Sequence, residues 1–133
     1  MKKLFFVLFL GLFATTTFAQ DSESGNEKQA TITFEESSHD FGDITQGDQV
    51  QYVFKFNNTG TAPLVLTNVA TTCGCTAPTW PREAILPGEA GEILIKFNSA
   101  GKMGNQTKVI TIYSNASNNP ARVKIVTNIL AQE

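Results

Sequence analysis

This sequence predicts an all-β fold, an immunoglobulin-like antiparallel β-sandwich of about seven strands. Three observations carry that prediction. Apolar residues recur with a period of two over short stretches, the spacing of a strand with one face buried. Clusters of Gly, Pro, Asn and Thr separate those stretches and supply the backbone freedom that tight reversals need. No stretch shows the period of an amphipathic helix. A closed barrel of the same strands is the alternative arrangement.

The chain has 133 residues. Its start reads as a targeting segment rather than as part of the fold. Met1-Lys2-Lys3 is basic, Leu4 to Phe13 is apolar apart from Gly11, and Thr15 to Ala19 offers small residues before a cut at Gln20. That order is the n-region, h-region and cleavage site of a secretory signal, so residues 1–19 are expected to be removed. The apolar run is shorter than the roughly 20 residues of a membrane-spanning helix. No Cys follows it closely, so a lipid anchor is not expected, and no later segment is apolar enough to span a bilayer. An exported protein is the expectation, periplasmic or secreted to the cell surface.

Without Lys2 and Lys3 the mature chain carries eight cations against 12 anions, a net charge of −4. A weakly acidic domain lacks the basic surface that nucleic-acid binding needs. Residues 20–30 (QDSESGNEKQA) hold no hydrophobic residue before Ala30 and read as a flexible tether, leaving 31–133 as the sandwich domain.

Each strand has its own signature. Thr31 to Glu36 alternates, with Ile32 and Phe34 on one face. Asp48 to Asn57 alternates more clearly, with Val50, Tyr52, Phe54 and Phe56 on one side and Gln51, Lys55 and Asn57 on the other. Asn57 to Pro63 is a turn, and Leu64 to Thr71 is the next strand. A loop from Thr72 to Glu89 is punctuated by Pro78, Pro81, Pro87 and Gly88. Ile93, Ile95 and Phe97 mark a further strand, and Ser99 to Gln106 is turn-like. Lys108 to Ser114 and Arg122 to Leu130 are the last two strands, joined by Asn115 to Pro120.

Both Cys of the chain lie in Cys73-Gly74-Cys75. In an oxidising compartment a free thiol needs a reason, and three readings compete. A local Cys73–Cys75 disulfide is the first. Extended backbone would hold the two Cα atoms about 6.5–7 Å apart, at the limit for a bridge, so a bend at Gly74 is required. Such a three-residue ring would stabilise the fold by only about 1.6 kcal/mol and would mainly shape the loop. A Cu(I) site is the second, with two thiolates and Met103 or His39 completing it. Zinc wants four ligands, which one chain with this composition does not offer. Thiol–disulfide exchange is the third. It needs a lowered thiol pKa, yet Arg82 is the nearest cation and no helix follows Cys75.

Trp80, the only Trp, stands before Pro81 in the same loop. It either closes one end of the sandwich or, with Pro81, serves as an anchor for a partner. His39-Asp40 resembles an acid–base pair, but neighbours in a strand face opposite ways. Glu35-Glu36 alternates in the same manner. No nucleophile motif and no phosphate loop is present, so an enzyme is not expected. Asn57-Asn58-Thr59, Asn105-Gln106-Thr107 and Asn115-Ala116-Ser117 match N-x-[ST] and read as surface turns.

Three segments resemble a known family. They are His39-Asp40-Phe41-Gly42-Asp43-Ile44 with Gly47, Phe54-Lys55-Phe56-Asn57-Asn58-Thr59-Gly60 with Pro63-Leu64, and Cys73-Gly74-Cys75-Thr76 through Trp80-Pro81 to Leu86-Pro87-Gly88-Glu89. Gly101-Lys102, Gly104, Lys108 and Ser114-Asn115 continue the pattern. Together they resemble the bacterial family called domain of unknown function 1573, over about residues 34 to 130. The resemblance implies an extracytoplasmic immunoglobulin-like sandwich, similar to cilium-associated and pilus-chaperone-like domains, with no established activity. Many relatives carry a Gly near Thr127 or Asn128, where this chain has none. The reading from sequence is thus a non-catalytic module, without cofactor, that binds a protein or glycan at the cell envelope. Its contact candidates are an exposed sheet edge and the Cys73–Cys75 loop with Trp80.

Overall fold

Alternating burial along the chain builds two four-stranded sheets that face each other. The computed structural model describes residues 27–133. The predicted signal peptide, and the predicted tether up to residue 26, lie outside the described residues. Eight strands follow in order: β1 (Ile32–Phe34), β2 (Ser38–Thr45), β3 (Gln49–Asn58), β4 (Leu66–Thr71), β5 (Thr76–Thr79), β6 (Ala90–Asn98), β7 (Gly104–Ser114) and β8 (Ala121–Leu130). One sheet has the order β1-β3-β6-β5 and the other β2-β8-β7-β4. The fold is therefore an all-β sandwich, as the periodicity predicts.

The core lies between the sheets. Phe54 and Phe56 of β3 and Ile93, Ile95 and Phe97 of β6 face Ile110 and Ile112 of β7 and Val123, Ile125 and Ile129 of β8, all buried. Each buried aliphatic or aromatic side chain contributes about 1.5–3 kcal/mol relative to exposure. The outward positions of β3 and β6 are polar or half-exposed, and they form the free face of the first sheet.

Two strands exceed the six segments legible from alternation. β2 shows no regular alternation and buries only Ile44. It pairs in parallel with β8, so the second sheet is mixed, and its register shifts between Asp40 and Asp43. Gly42 takes φ +70° there, and the Asp40 carboxylate accepts the Gly42 N–H at 2.7 Å. Thr127 and Asn128 fasten this irregularity. The Thr127 hydroxyl donates to the Gly42 carbonyl at 2.8 Å and the Asn128 amide to the Asp43 carboxylate at 2.9 Å. β5 lies inside the predicted loop. It has four residues and includes Pro78, which an edge position tolerates. β7 begins at Gly104, so the Asn105-Gln106-Thr107 match is strand rather than turn.

The folded unit also starts earlier than the tether boundary predicts. Ala30 is buried in the core, and Gln29 exchanges hydrogen bonds with Thr61. A small side chain suffices where the neighbouring turn packs against backbone.

All four edge strands carry a device that discourages further pairing. The Asn118 amide bonds both the N–H and the carbonyl of Ile32 on β1, at 3.2 and 2.7 Å. β2 and β4 are irregular in register, and β5 is short with a proline.

Candidate functional site

The Cys loop joins the two sheets, since it leads from β4 at the edge of one to β5 at the edge of the other. Cys73 and Cys75 are bonded to each other, with Cα atoms 5.3 Å apart. A bend at Gly74 brings them that close, but Gly74 does not need a left-handed backbone. Positive φ falls at five other glycines, and a Cβ added at Gly74 would meet nothing within 4 Å. The loop is tied at both ends. The Thr71 hydroxyl donates to the Cys73 carbonyl at 2.9 Å, and the Asn98 N–H of β6 donates to the Cys75 carbonyl at 2.9 Å. Cys75 packs against the core and Gly74 is exposed.

Beside this bridge a groove of ≈ 590 Å³ opens on the outer face of the β1-β3-β6-β5 sheet. Gly74 and Cys75 form one wall. The floor is the cross-strand row Gln51, Lys96 and Ala77, and the pair Gln49 and Asn98 one step further along. Lys102 also lines the groove. Its turn is held from beneath by Ser99, which is fully buried. The Ser99 hydroxyl reaches the carbonyls of Asp48 and Thr45 at 2.7 and 3.1 Å, and the Lys102 N–H donates to the Ser99 carbonyl at 3.1 Å. The Asn98 side-chain oxygen accepts the Ala100 N–H at 3.0 Å, which leaves its NH2 group for a ligand.

Two residues along the same strands lies a second hollow, ≈ 470 Å³, lined by Val53, Leu94, Thr79, Trp80 and Pro81, with Glu92 at its far side. Val53, Leu94 and Thr79 form the row next to Gln51, Lys96 and Ala77, so the two hollows share one continuous face. Trp80 is half-buried and packs against the core, with the Arg82 guanidinium 3.9 Å above its ring. Its indole N–H is buried without a hydrogen-bond partner. The side chain is thus fixed from two sides and offers only part of its surface.

The other candidates from sequence stand apart. The His39 ring stacks on Tyr52, with centroids 3.6 Å apart, and meets the Phe41 ring edge-on. This stack links β2 of one sheet to β3 of the other. The Tyr52 hydroxyl donates to the Glu36 carboxylate. That bond, with burial and the charges of Glu36 and Glu35, raises the phenol above its ordinary pKa. Tyr52 lies three residues along the strands and two strands across from the Cys75 level, about 10 Å in each direction. Met103 is 52% exposed on the β6–β7 loop. Cys73 and Cys75 are bonded to each other and offer no thiolate pair, and His39 is stacked on Tyr52 instead of facing them, so the expected Cu(I) set of Cys73, Cys75, His39 and Met103 is not assembled. Among the described residues no group of three His, Cys, Asp or Glu could hold a metal ion.

Alternation in β3 placed Gln51 on the outer face, but nothing in the sequence singled out Gln49, Lys96, Asn98 or Lys102 as one surface. Their common signal is position, since all but Lys102 are outward residues of β3 and β6. Only the sheet order makes them neighbours.

These features define a β-sandwich module with a polar groove on one face and a disulfide loop at its rim. Solved structures place the fold. A protein of unknown function from Porphyromonas gingivalis W83 superposes with a TM-score of 0.67 at 19% identity, over 81% of this chain and 51% of that one. The ASH/PapD-like domain 7 of human CEP192 gives 0.64 at 9% identity, over 79% and 89%. The secreted serine protease VesC from Vibrio cholerae gives 0.58 at 14% identity, over 75% and 23%. The chain thus spans about half of the Porphyromonas structure and under a quarter of the protease. At these identities the likeness concerns the fold alone. No curated protein matches the sequence. The family model described as protein of unknown function (DUF1573) matches residues 32–129, and the chain belongs to that family.

Proposed function

We propose that this chain is an exported, non-catalytic module that binds a protein or glycan partner at the cell envelope. Its contact surface in this reading is the outer face of the β1-β3-β6-β5 sheet. The observation that carries the proposal is the groove lined by the disulfide wall and Lys102, continuous with the Trp80–Pro81 hollow. Its polar lining consists of carboxamides and lysines, which recognise a ligand but form no acid–base–nucleophile set. The guarded edges favour contact through this face over strand addition.

Two measurements test the reading. Intact mass of the protein purified from cells should show a start at Gln20 and the loss of two hydrogens at Cys73 and Cys75. An uncleaved start would overturn export. The second is sedimentation of the purified protein with isolated envelopes. Association should survive Cys73→Ser/Cys75→Ser in weakened form and be lost when Lys96 and Lys102 are both changed to Glu. A complete loss in the Cys variant with no effect in the Lys variant would move the functional centre to the thiols.

A further inference from the structure

We propose that the groove beside the disulfide takes an anionic glycan, with its acidic groups on Lys96 and Lys102 and its hydroxyls on Gln49, Gln51 and Asn98. This rests on the reading of that face as the contact surface and names its ligand.

Charge complementarity is the first argument. Acidic residues outnumber basic ones 12 to 10 in the chain, yet the groove is lined by two lysines and no carboxylate. The nearest acid in sequence, Asp48, is not part of the lining and turns one oxygen to the Thr45 N–H at 2.9 Å. A local positive field on a negative domain selects an anion.

The neutral part of the lining identifies the rest of the ligand. Gln49 and Gln51 each set a donor beside an acceptor, the arrangement that meets adjacent hydroxyl groups, and Asn98 adds its NH2 donor. A peptide would use backbone hydrogen bonds to an unpaired strand. The backbones beneath this groove are already committed, because β3 pairs with β6 over nine residues from Gln49 to Asn57 and β6 pairs with β5 on its other side. On this floor side chains face the ligand, and exposed backbone is offered at Gly74 in the wall. At ≈ 590 Å³ the groove falls within the roughly 300–1,000 Å³ of small-molecule sites. A longer chain of sugars would continue onto Val53, Leu94 and Trp80, where the apolar face of a ring can rest.

The site is preorganised. Ser99 fixes the Lys102 turn, and the disulfide fixes the wall that Gly74 and Cys75 supply. Closing the bridge should therefore affect affinity more than stability.

Calorimetry with the purified protein tests the assignment. The probes are an oligogalacturonate, a chondroitin sulfate oligosaccharide, a cello-oligosaccharide of equal length and a poly-glutamate peptide. Binding of an anionic glycan is expected, with the first two arms separating carboxylate from sulfate. Neither the neutral sugar nor poly-glutamate should bind comparably. Lys96→Gln and Lys102→Gln should each weaken binding about tenfold, and raised salt should weaken it further. Both lysines reach the surface, so the variants should unfold at the wild-type temperature. Equal binding of the neutral sugar, equal binding of poly-glutamate, or indifference to both Lys changes would overturn the proposal. If no glycan binds while the double Lys change still abolishes envelope sedimentation, the ligand class is overturned and the surface reading stands. If sedimentation is also unchanged, both fall.

Discussion

The β1-β3-β6-β5 sheet has two ends, and they are closed by opposite means. At one end Asn58 is fully buried. Its NH2 group donates to the carbonyls of Ala62 and Ile85 at 2.8 and 2.9 Å, and its oxygen accepts the N–H groups of Gly60 and Thr31 at 3.0 and 3.4 Å. One side chain thereby ties together backbone groups from three segments, and the Ile85 carbonyl among them also accepts the Leu64 N–H at 2.8 Å. At the other end the Cys73–Cys75 bridge holds a loop that remains partly in solvent, with the groove beside it. At the first end the Asn58 side chain spends all its polar capacity inside the protein. The second keeps its polar groups exposed and fixes them only enough to hold a shape. The Asn58 end is built for stability, and under the proposed function the Cys end is the one left for recognition.

Asn58→Ala should break this division most sharply. It removes the partner of the Ala62 carbonyl and of the Gly60 and Thr31 N–H groups, while the Ile85 carbonyl keeps the Leu64 N–H, and it should lower unfolding free energy by about 2–4 kcal/mol in a denaturant titration. A loss below about 1 kcal/mol would mean that water replaces the amide and that this end is not closed. The glycines give the next largest contrast. A Cβ at Gly91 would run into the Phe56 ring, and one at Gly60 into the backbone of Gln29 and Thr31. Gly91→Ala should cost about 1–3 kcal/mol, while Gly74→Ala at the other end should stay within about 0.5 kcal/mol. Equal effects would erase the distinction.

Cys73→Ser/Cys75→Ser sharpens it further. The ring closes only three residues, so the chain-entropy contribution is at most about 1.6 kcal/mol. A denaturant titration should therefore show a loss no larger than about 1.6 kcal/mol, while glycan affinity in calorimetry should fall several-fold as the wall loosens. A stability loss beyond about 3 kcal/mol would make the bridge a structural staple like Asn58 and undo the comparison.

Much of the Asn58 end was legible in the sequence and much of the other was not, for a physical reason. Alternation in Val50, Tyr52, Phe54 and Phe56, and in Ile93, Ile95 and Phe97, reports burial, and burial is what a sandwich core imposes on its strands. The turn after Asn57 was likewise visible, though nothing marked Asn58 as its buried centre rather than an exposed turn residue. β2 was hidden because an irregular edge strand buries almost nothing, and β5 because four residues with Pro78 resemble a loop. The groove was hidden because outward residues obey no pattern. Lys96 and Lys102 become one site only through the turn that Ser99 pins, and that contact spans about fifty positions of sequence. His39 drew attention by residue type alone, and the fold stacks it on Tyr52 away from the Cys loop.

The smallest expected effect lies between the two ends, at Tyr52. Its hydroxyl donates to Glu36 and its ring stacks on His39, so it ties β3 to β2 on the side away from β5. The bond to Glu36 requires the proton, and the phenol is accordingly raised from 10.0. A group held protonated more tightly in the folded than in the unfolded state contributes stability that is complete below the unfolded pKa. That contribution declines as pH climbs from about 10 through the higher folded value. The unfolding midpoint of wild type should therefore exceed that of Tyr52→Phe at pH 8, and the gap should narrow above pH 10. The hydroxyl is open to solvent, so the gap should be well below that of Asn58→Ala. A gap that is constant from pH 8 to 11 would assign Tyr52 to ring stacking alone. It would also show that the hydrogen bond to Glu36, unlike the buried ones of Asn58, contributes nothing to holding the sheets together.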